Sequence, residues 1–393
     1  MASRKTKAGI EALASAVAVL GTVAMAGCTT IDSEPPVPAV LPVRGLHAFA
    51  PRKSEVPAAV AFIREVLPRE GVNKLILEFN YGFDFQSRPE FADSGAPDRA
   101  DVRAIARACR ESGVELIPQI NCLGHQTLKG YVGVLLERHP DLDETAGTPP
   151  SDRDTYPRNY CPLHPKVHPI LFPLIAELAE AAEAKSFHVG MDEVFHLADP
   201  GCPRCRGKDP AALFAGEVQA LHAHLRSLGL RMWMWGDRLI DGKAAGSGEW
   251  EGSLTGTHRA IDRVPRDVVI CDWHYDRALK TPEFFARKGF NVVACSWRNS
   301  DVAQDQLADI RSLRSGPDRT VGARALGVVQ TTWLGIASFA RGYRELRPGG
   351  AIERSKLPET VDCFQTLYRA VRGAMPASIS GVRFPDPSPS ARR

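Results

Sequence analysis

Short apolar runs alternate with longer amphipathic runs along the chain from Val43 to about Phe339. The short runs are typical of buried strands, and the longer runs carry apolar residues at helical spacing. The predicted strands are Arg44–Ala50, Lys74–Asn80, Glu115–Asn121, Phe187–Met191, Arg231–Trp235, Val268–Trp273, Asn291–Ser296 and Gly327–Thr332. The predicted helices are Val56–Leu67, Arg99–Ser112, Val167–Ala184, Ala211–Leu228, Thr281–Lys288 and Val302–Leu313. The connection after Trp235 lacks a clear helix, because residues 242–256 are rich in small side chains.

Eight strands with intervening helices predict an α/β fold, a (β/α)8 TIM-type barrel that forms a single catalytic domain over residues 43–372. Such a barrel builds its active site from the loops that follow the strands. Five of the six tryptophans fall at these strand ends: Trp233, Trp235, Trp273, Trp297 and Trp333. Aromatic faces pack well on sugar rings, so this distribution predicts a Trp-walled saccharide pocket.

The fourth predicted strand ends in two adjacent acids, Asp192 and Glu193. Adjacent Asp-Glu pairs are also common on solvated loops, but two carboxylates at the end of a buried strand are costly unless they are used. Ordinary glycosidases place two carboxylates ~5–9.5 Å apart on either side of the bond that they cleave. Two acids that are neighbours in sequence suit a different glycosidase mechanism, in which one acid protonates the leaving oxygen and the other holds a substrate acetamido group that attacks the anomeric carbon. An ionised Asp192 would then help keep Glu193 protonated, as a general acid requires.

At this point the sequence resembles a known family. The run His188-Val189-Gly190-Met191-Asp192-Glu193 is similar to the H-x-G-G-D-E signature of family 20 glycoside hydrolases, the β-N-acetylhexosaminidases, and is closest to the hexosaminidase D branch. The similarity extends over about residues 43–345. It continues through the motifs Asn121-Cys122-Leu123-Gly124-His125, Trp235-Gly236-Asp237, Asp272-Trp273-His274-Tyr275, Ala294-Cys295-Ser296-Trp297 and Thr332-Trp333.

The resemblance implies an exo-acting, retaining glycosidase that removes terminal N-acetylhexosamine by substrate-assisted catalysis, with a glycan or amino-sugar oligosaccharide as substrate. Asp192 would polarise the acetamido group and Glu193 would be the acid/base. The remaining implied site residues are Tyr275 on the acetamido carbonyl, Trp235, Trp297 and Trp333 as walls, Arg44 on ring hydroxyls, His125 and His188 behind the carboxylates, and Asn121 and Asp237 as further substrate-binding groups. It implies no metal and no organic cofactor.

Two departures from the family pattern bear on specificity. Phe49 lies near the place of an Asp that follows the Arg-Gly motif, and Gly335 replaces a Glu after the last-strand Trp. The choice between GlcNAc and GalNAc therefore stays open. Two other functions also stay open, namely a catalytically silent carbohydrate-binding surface lipoprotein and a glycosidase for a different or modified hexosamine.

The first residues are typical of an export signal rather than of a part of the folded domain. A basic start with an apolar run ending at Cys28 is typical of a lipoprotein signal over residues 1–28, with Cys28 lipidated. Residues 29–42 form a Pro-rich linker, and residues 373–393 predict a disordered tail. We therefore expect a protein of the bacterial cell envelope, held at the membrane by this lipid anchor only. Plain secretory cleavage after Ala26 or Gly27, or an uncleaved anchor, stays open as an alternative.

The net charge bears on the class of binding partner, and the cysteines bear on disulfides and metal binding. The net charge of +3, from 49 basic and 46 acidic residues, gives no indication of nucleic-acid binding. Nine cysteines become eight once Cys28 is modified. Most of these eight are scattered along the chain, several inside apolar runs, and are predicted to be buried free thiols. The pair Cys202 and Cys205 is the exception. A single CxxC lacks the second ligand pair of a zinc site, so a local disulfide or loop staple is favoured over a metal.

Overall fold

The computed structural model describes residues 40–91, 93–128, 131–149, 156–345 and 356–373, all of which belong to one unit that spans Val37–Arg393. The predicted signal peptide with Cys28, most of the linker and nearly all of the tail lie outside the described residues. Among the helices that are described, none is long and apolar enough to cross a membrane.

Eight parallel strands close into a barrel, which confirms the predicted fold class. Neighbours around the barrel are β1, β2, β3, β6, β7, β8, β9 and β10, and β10 pairs back onto β1. The barrel strands are β1 (Val43–Phe49), β2 (Lys74–Glu78), β3 (Glu115–Cys122), β6 (Ser186–Gly190), β7 (Arg231–Trp235), β8 (Val269–Trp273), β9 (Asn291–Ser296) and β10 (Ala325–Gly335). A small antiparallel pair, β4 (Thr127–Leu128) and β5 (Tyr131–Val132), lies in the connection after β3.

Helices surround the barrel. They are α1 (Val56–Glu65), α2 (Leu67–Glu70), α3 (Arg99–Glu111), α4 (Val134–Arg138), α5 (Val167–Ala181), α6 (Pro210–Ser227), α7 (Gly242–Ala245), α8 (Thr281–Arg287), α9 (Ser300–Ser315), α10 (Arg319–Arg324), α11 (Ile336–Glu345) and α12 (Lys356–Gly373). The connection after β7 carries the four-residue α7 and two 3-10 helices, at Asp237–Leu239 and Thr257–Arg263, in line with its small side chains. Tyr368 of α12 donates a hydrogen bond to the carbonyl of Gly45 on β1 at 2.5 Å, which ties the last helix to the first strand.

Local sequence sets where the helices begin. The Asp98 carboxylate caps α3 by accepting from the Asp101 amide at 3.0 Å. The Asp101 carboxylate in turn accepts from the Asp98 amide at 3.0 Å. This reciprocal box satisfies two donors that a helix start leaves free. Asp209 and Pro210 start α6 in a similar way, with the Asp209 carboxylate accepting from the amide of Ala211.

Two tryptophans that were expected in the pocket lie inside the barrel instead. Alternate strand residues point inward and form a separate apolar cluster, in which Trp233 and Trp235 of β7 pack with Val269 and Cys271 of β8. Trp233 and Trp235 are only 2% and 0% exposed. The interpretation of Trp235 as a pocket wall is therefore wrong, because the two-residue period of the strand turns its ring into the core.

All eight described cysteines are buried free thiols. The expectation of free thiols is confirmed for most positions, but the predicted disulfide between Cys202 and Cys205 is wrong. Both sulfur atoms lie close to Cys161, which reaches them from a different loop.

Candidate active site

The strand β6 ends in a turn of left-handed backbone. Gly190, Met191 and Glu193 have φ angles of 68°, 76° and 49°. A Cβ on Gly190 would lie 2.5 Å from the side-chain oxygen of Asn121 on β3. Glycine is therefore required here both by the backbone conformation and by the close approach of β3. This turn places Asp192 and Glu193 at the carboxyl end of the barrel.

His125 lies between the two carboxylates. Its Nε2 atom is 3.2 Å from Oδ2 of Asp192 and 3.1 Å from Oε2 of Glu193. Burial opposes a charged imidazole, but Asp192 and Glu193 outweigh it and raise the pKa of His125 well above its ordinary value. A positive charge there offsets the mutual repulsion of the two acids. His125 thus contacts both carboxylates, as the resemblance implied.

Asp237 holds the backbone beneath Glu193. Its Oδ2 atom accepts from the Glu193 amide at 2.9 Å and from Nε of the buried Arg238 at 2.6 Å. Burial raises the pKa of Asp237 to about 6, against the lowering effect of Arg238. With 1% of its surface exposed, Asp237 cannot reach a substrate, so its assignment as a substrate-binding residue is wrong. Arg238, which the sequence did not single out, in turn donates to the carbonyls of Glu249, Trp250 and Gly252.

Tyr275 and Trp333 meet across the pocket. The phenol oxygen of Tyr275 accepts from Nε1 of Trp333 at 2.9 Å, and burial raises the pKa of Tyr275 well above its ordinary value. The phenol is therefore neutral, and its own proton is free for a substrate acceptor. Trp297 packs behind Tyr275, with ring centroids 5.4 Å apart, and does not belong to the lining of the two cavities described below.

Two adjoining cavities open at these residues. The smaller has a volume of about 220 Å³ and is lined by His125, Tyr156, Asp192, Glu193, Trp273, Tyr275 and Trp333. The larger, of about 760 Å³, shares four of these residues and adds Phe49, Glu78, Asn80, Tyr81 and Asn121, among others. Asp192 lines both cavities, whereas Glu193 lines the smaller one, so the two acids meet in the smaller cavity, which therefore carries the chemistry. Trp273 is one of the strand-end tryptophans expected at the pocket, whereas Tyr156 is a wall residue to which the sequence had given no role.

A polar network, also missed from sequence, forms part of the larger cavity. Glu78 at the end of β2 accepts from Asn80, from Asn121 and from Gln119 at 2.8–3.1 Å. Asn121, which was expected to bind substrate, lines this cavity, but its side-chain amide is already bonded to Glu78. The sequence did carry a signal for this network, since Glu78 is an acid at the end of the apolar run Lys74-Leu75-Ile76-Leu77-Glu78.

Two further candidates lie away from the cavities. Arg44 is at the start of β1, where its guanidinium donates to the carbonyls of Gly71 and Leu41 at 2.7 and 2.6 Å. That is the end of the barrel opposite the carboxylates, so its assignment to ring hydroxyls is wrong. His188 is fully buried, accepts from the Gly190 amide at 3.1 Å and packs on Trp235, so among the described residues it does not bond to a carboxylate.

The pocket thus contains an acid pair bridged by a histidine, a neutral phenol and three aromatic faces, which suits proton transfer to a sugar oxygen beside a bound amide. Among the described residues, the one group able to hold a metal ion lies elsewhere, at Glu144, Cys161, Cys202 and Cys205.

Comparisons with known proteins agree with this architecture. The family model described as glycosyl hydrolase family 20, catalytic domain, matches residues 86–306, more than half of the chain. No curated protein matches the chain in sequence.

Solved structures share the fold at low identity. A chitobiase of Flavobacterium johnsoniae is 16% identical with a TM-score of 0.56, over 84% of this chain and 51% of that one. A β-N-acetylhexosaminidase of Bacteroides fragilis is 13% identical with a TM-score of 0.53, over 84% of this chain and 65% of that one. Another β-N-acetylhexosaminidase is 15% identical with a TM-score of 0.57, over 85% and 76%. The chain therefore spans about half the length of the first of these proteins and less than two thirds of the second.

Proposed function

Because the chain belongs to glycosyl hydrolase family 20, we propose that it is an exo-acting, retaining glycosidase that releases terminal N-acetylhexosamine by substrate-assisted catalysis. The single observation that carries this proposal is that Asp192, Glu193 and Tyr275 line one cavity together with the rings of Trp273 and Trp333. Those groups match what a 2-acetamido sugar would need at its reacting carbon.

In the first step the substrate supplies the nucleophile. Asp192 accepts the acetamido N–H, and Tyr275 donates its phenol proton to the acetamido carbonyl, since Trp333 already occupies an acceptor position on the phenol oxygen. The amide held in this way places its carbonyl oxygen against the anomeric carbon. The oxygen forms a bond to that carbon as the glycosidic bond breaks, which gives a cyclic oxazolinium.

Glu193 acts on the other oxygen. It donates a proton to the leaving glycosidic oxygen and then accepts one from the water that opens the oxazolinium. Two inversions at the same carbon give net retention. Asp237 and His125 hold Glu193 from its backbone amide and from its carboxylate, at 2.9 and 3.1 Å. These contacts limit the positions that the acid can adopt while it exchanges protons.

A panel of aryl glycosides tests this function. Aryl 2-acetamido-glucoside and 2-acetamido-galactoside should be hydrolysed, while glucoside, galactoside and the free-amine glucosaminide should not, because they lack the attacking acetamido oxygen. A thiazoline that mimics the oxazolinium should inhibit the reaction competitively. Hydrolysis that resists the thiazoline would indicate a glycosidase for a different hexosamine, and sugar binding without turnover would indicate a silent carbohydrate-binding protein.

We further propose that the protein is exported and held at the cell envelope by a lipid on Cys28, which the basic start and apolar run before that residue support. Its place in the hexosaminidase D branch stays a prediction.

A further inference from the structure

Three cysteines and one glutamate meet away from the catalytic carboxylates. Glu144 and Cys161 lie in the connection between β3 and α5, and Cys202 and Cys205 lie in the connection between β6 and α6. All four residues are at most 1% exposed. One ligand atom from each lies within 4.8 Å of the others. The fold therefore brings four metal-ligating groups from two separate loops into one buried cluster.

The sulfur atoms are close but not bonded to each other. Sγ of Cys161 is 3.2 Å from Sγ of Cys205 and 3.5 Å from Sγ of Cys202. A disulfide bond measures about 2.05 Å. One disulfide would use two of the three thiols and would leave the third thiol beside a buried carboxylate. A disulfide thus accounts for only half of the cluster.

Glu144 provides a second, independent observation. Its Oε1 atom accepts from the Asp199 amide at 3.2 Å, but its Oε2 atom is buried and has no hydrogen-bond partner in the part of the chain that the structure describes. No arginine, lysine or histidine of the described residues forms an ion pair with Glu144. A buried carboxylate oxygen without a partner is costly, and a cation at this place would remove the cost.

The backbone around Cys202 and Cys205 also directs an amide donor at one of the sulfur atoms. The Cys205 amide donates to Sγ of Cys202 at 3.4 Å, and Gly207 follows in left-handed conformation with φ of 72°. The two-residue spacing of Cys202 and Cys205 is that of one half of a four-ligand zinc site. Cys161 and Glu144 complete the other half from across the loop.

We propose that Glu144, Cys161, Cys202 and Cys205 bind one structural zinc ion. Thiolate ligands select zinc over the hard cations, and four protein ligands close a tetrahedral site, which leaves no open position for catalysis. With Zn–S bonds of about 2.3 Å, tetrahedral sulfur atoms lie about 3.8 Å apart. The observed separations of 3.2 and 3.5 Å are within about 0.6 Å of that value. This assignment replaces the sequence-based expectation of no metal and of a local disulfide or loop staple at Cys202 and Cys205.

The ion would fasten the two loops that carry pocket residues. Tyr156 precedes Cys161 in one loop, and Glu193 precedes Cys202 in the other. Direct bonds already join these loops, among them those from the His196 amide to the side-chain oxygen of Asn159 at 3.3 Å and from the Asp199 amide to Oε1 of Glu144 at 3.2 Å. Zinc would add a stronger link close to them. None of the four ligands lines either cavity, so the ion supports the pocket without touching a substrate.

Metal analysis of the purified full chain tests the proposal. Protein expressed with added zinc and purified without chelators or metal-affinity resin should hold one zinc per chain by inductively coupled plasma mass spectrometry. Cys161→Ser and Cys202→Ser should lose the ion. Cys109→Ser is the matched control, because Cys109 is an equally buried thiol on α3, and it should retain full zinc. Glu144→Ala should bind zinc more weakly, whereas Glu144→Cys should keep it as a fourth thiolate.

Two measurements on the unaltered protein cover the case in which a cysteine variant fails to fold. Cobalt exchanged into the site should give the visible absorption of tetrahedral cobalt bound to thiolates. A chelator should lower the thermal midpoint by several degrees, and zinc should restore it. Any one of four results would overturn the proposal. They are zinc well below one per chain with no cobalt spectrum, tightly held iron in place of zinc, a disulfide among these cysteines in the intact mass, and equal zinc in Cys161→Ser and Cys109→Ser.

Discussion

Asp192 and Glu193 are neighbours in sequence but have different surroundings. Oδ1 of Asp192 is buried without a partner in the described structure, and its Oδ2 faces His125 at 3.2 Å. Glu193 keeps more exposed surface, and its backbone is fixed by Asp237. An acceptor that awaits a donor suits the acetamido N–H, and a more exposed carboxyl suits proton exchange. Roles that the resemblance only implied thus have a physical basis at the level of single atoms.

We predict that Glu193→Gln reduces kcat/KM by about 10²–10⁴-fold on aryl 2-acetamido-glucosides with a poor leaving group, because the general acid is lost. The loss should be smaller for a dinitrophenyl leaving group, which departs without a proton. Steady-state kinetics over a series of leaving groups measures this. Glu111→Gln is the control, since Glu111 lies on the surface of α3 and pairs with Arg64. A loss that is independent of the leaving group would contradict the acid role.

We predict that Tyr275→Phe lowers kcat by about 10²-fold, because a neutral phenol that donates to the developing charge is removed. KM should change less than kcat. Tyr343→Phe serves as the control, because the Tyr343 hydroxyl donates to Glu70, outside the cavity lining. Equal kinetic losses in the two variants would contradict the assignment of Tyr275 as this donor.

Several residue assignments failed for reasons that the sequence could not show. Arg44 was placed in the site by a family motif, although it begins its strand and therefore faces the wrong end of the barrel. Asp237 lies at the correct strand end, but its partners are the Glu193 amide and Arg238. Burial of this kind depends on contacts between strands that are far apart in sequence. The zinc ligands were missed for the same reason, since Cys161 and Glu144 reach Cys202 and Cys205 only in three dimensions.

At the level of elements, hydrophobic periodicity predicted all eight barrel strands, with most ends correct to within two residues. Strands such as β7 and β9 match because a buried parallel strand is a nearly continuous apolar run. The connections were less predictable. The hairpin of β4 and β5, each two residues long, leaves no pattern that can be read, and α12 was not among the predicted helices.

The end of β6 supplies an element-scale prediction. Gly190→Ala should destabilise the fold by at least about 1–2 kcal/mol, because its φ of 68° disfavours a side chain and Cβ would meet Asn121 at 2.5 Å. Gly216→Ala is the matched control. Gly216 lies within α6 with open space around a Cβ, so alanine should stabilise the protein by about 0.5–1 kcal/mol.

Denaturant unfolding of the two variants and the parent measures both changes. Opposite signs are expected, and a neutral Gly190→Ala would show that the turn can relax without cost.

For the whole molecule, stability should depend on pH through buried histidines. His274 lies between Glu251 at 2.8 Å and Asp272 at 3.3 Å. Burial lowers its pKa, but the acids, Asp272 foremost, outweigh burial and raise the pKa to about 9. A raised pKa means that the stabilisation is fully present below the unfolded value of about 6.5 and is lost as the pH rises through about 9. His125, whose pKa is also raised, acts in the same direction.

We therefore predict that His274→Gln lowers the thermal midpoint most at about pH 6 and least above about pH 9. The loss at the lower pH corresponds to about 3 kcal/mol. Thermal melts of parent and variant across this range measure the gap. A gap that stays constant with pH would show that His274 acts through packing alone.

The barrel closes where its first strand meets its last, and the larger cavity lies on that seam. Phe49 ends β1 and Trp333 belongs to β10, their ring centroids are 6.2 Å apart, and both line the cavity. A glycan resting on both rings would join the two ends of the folded chain without a covalent bond. The mechanical strength of the molecule should then depend on its ligand: pulled from its termini, it should resist a higher force with a non-hydrolysable inhibitor bound than without one.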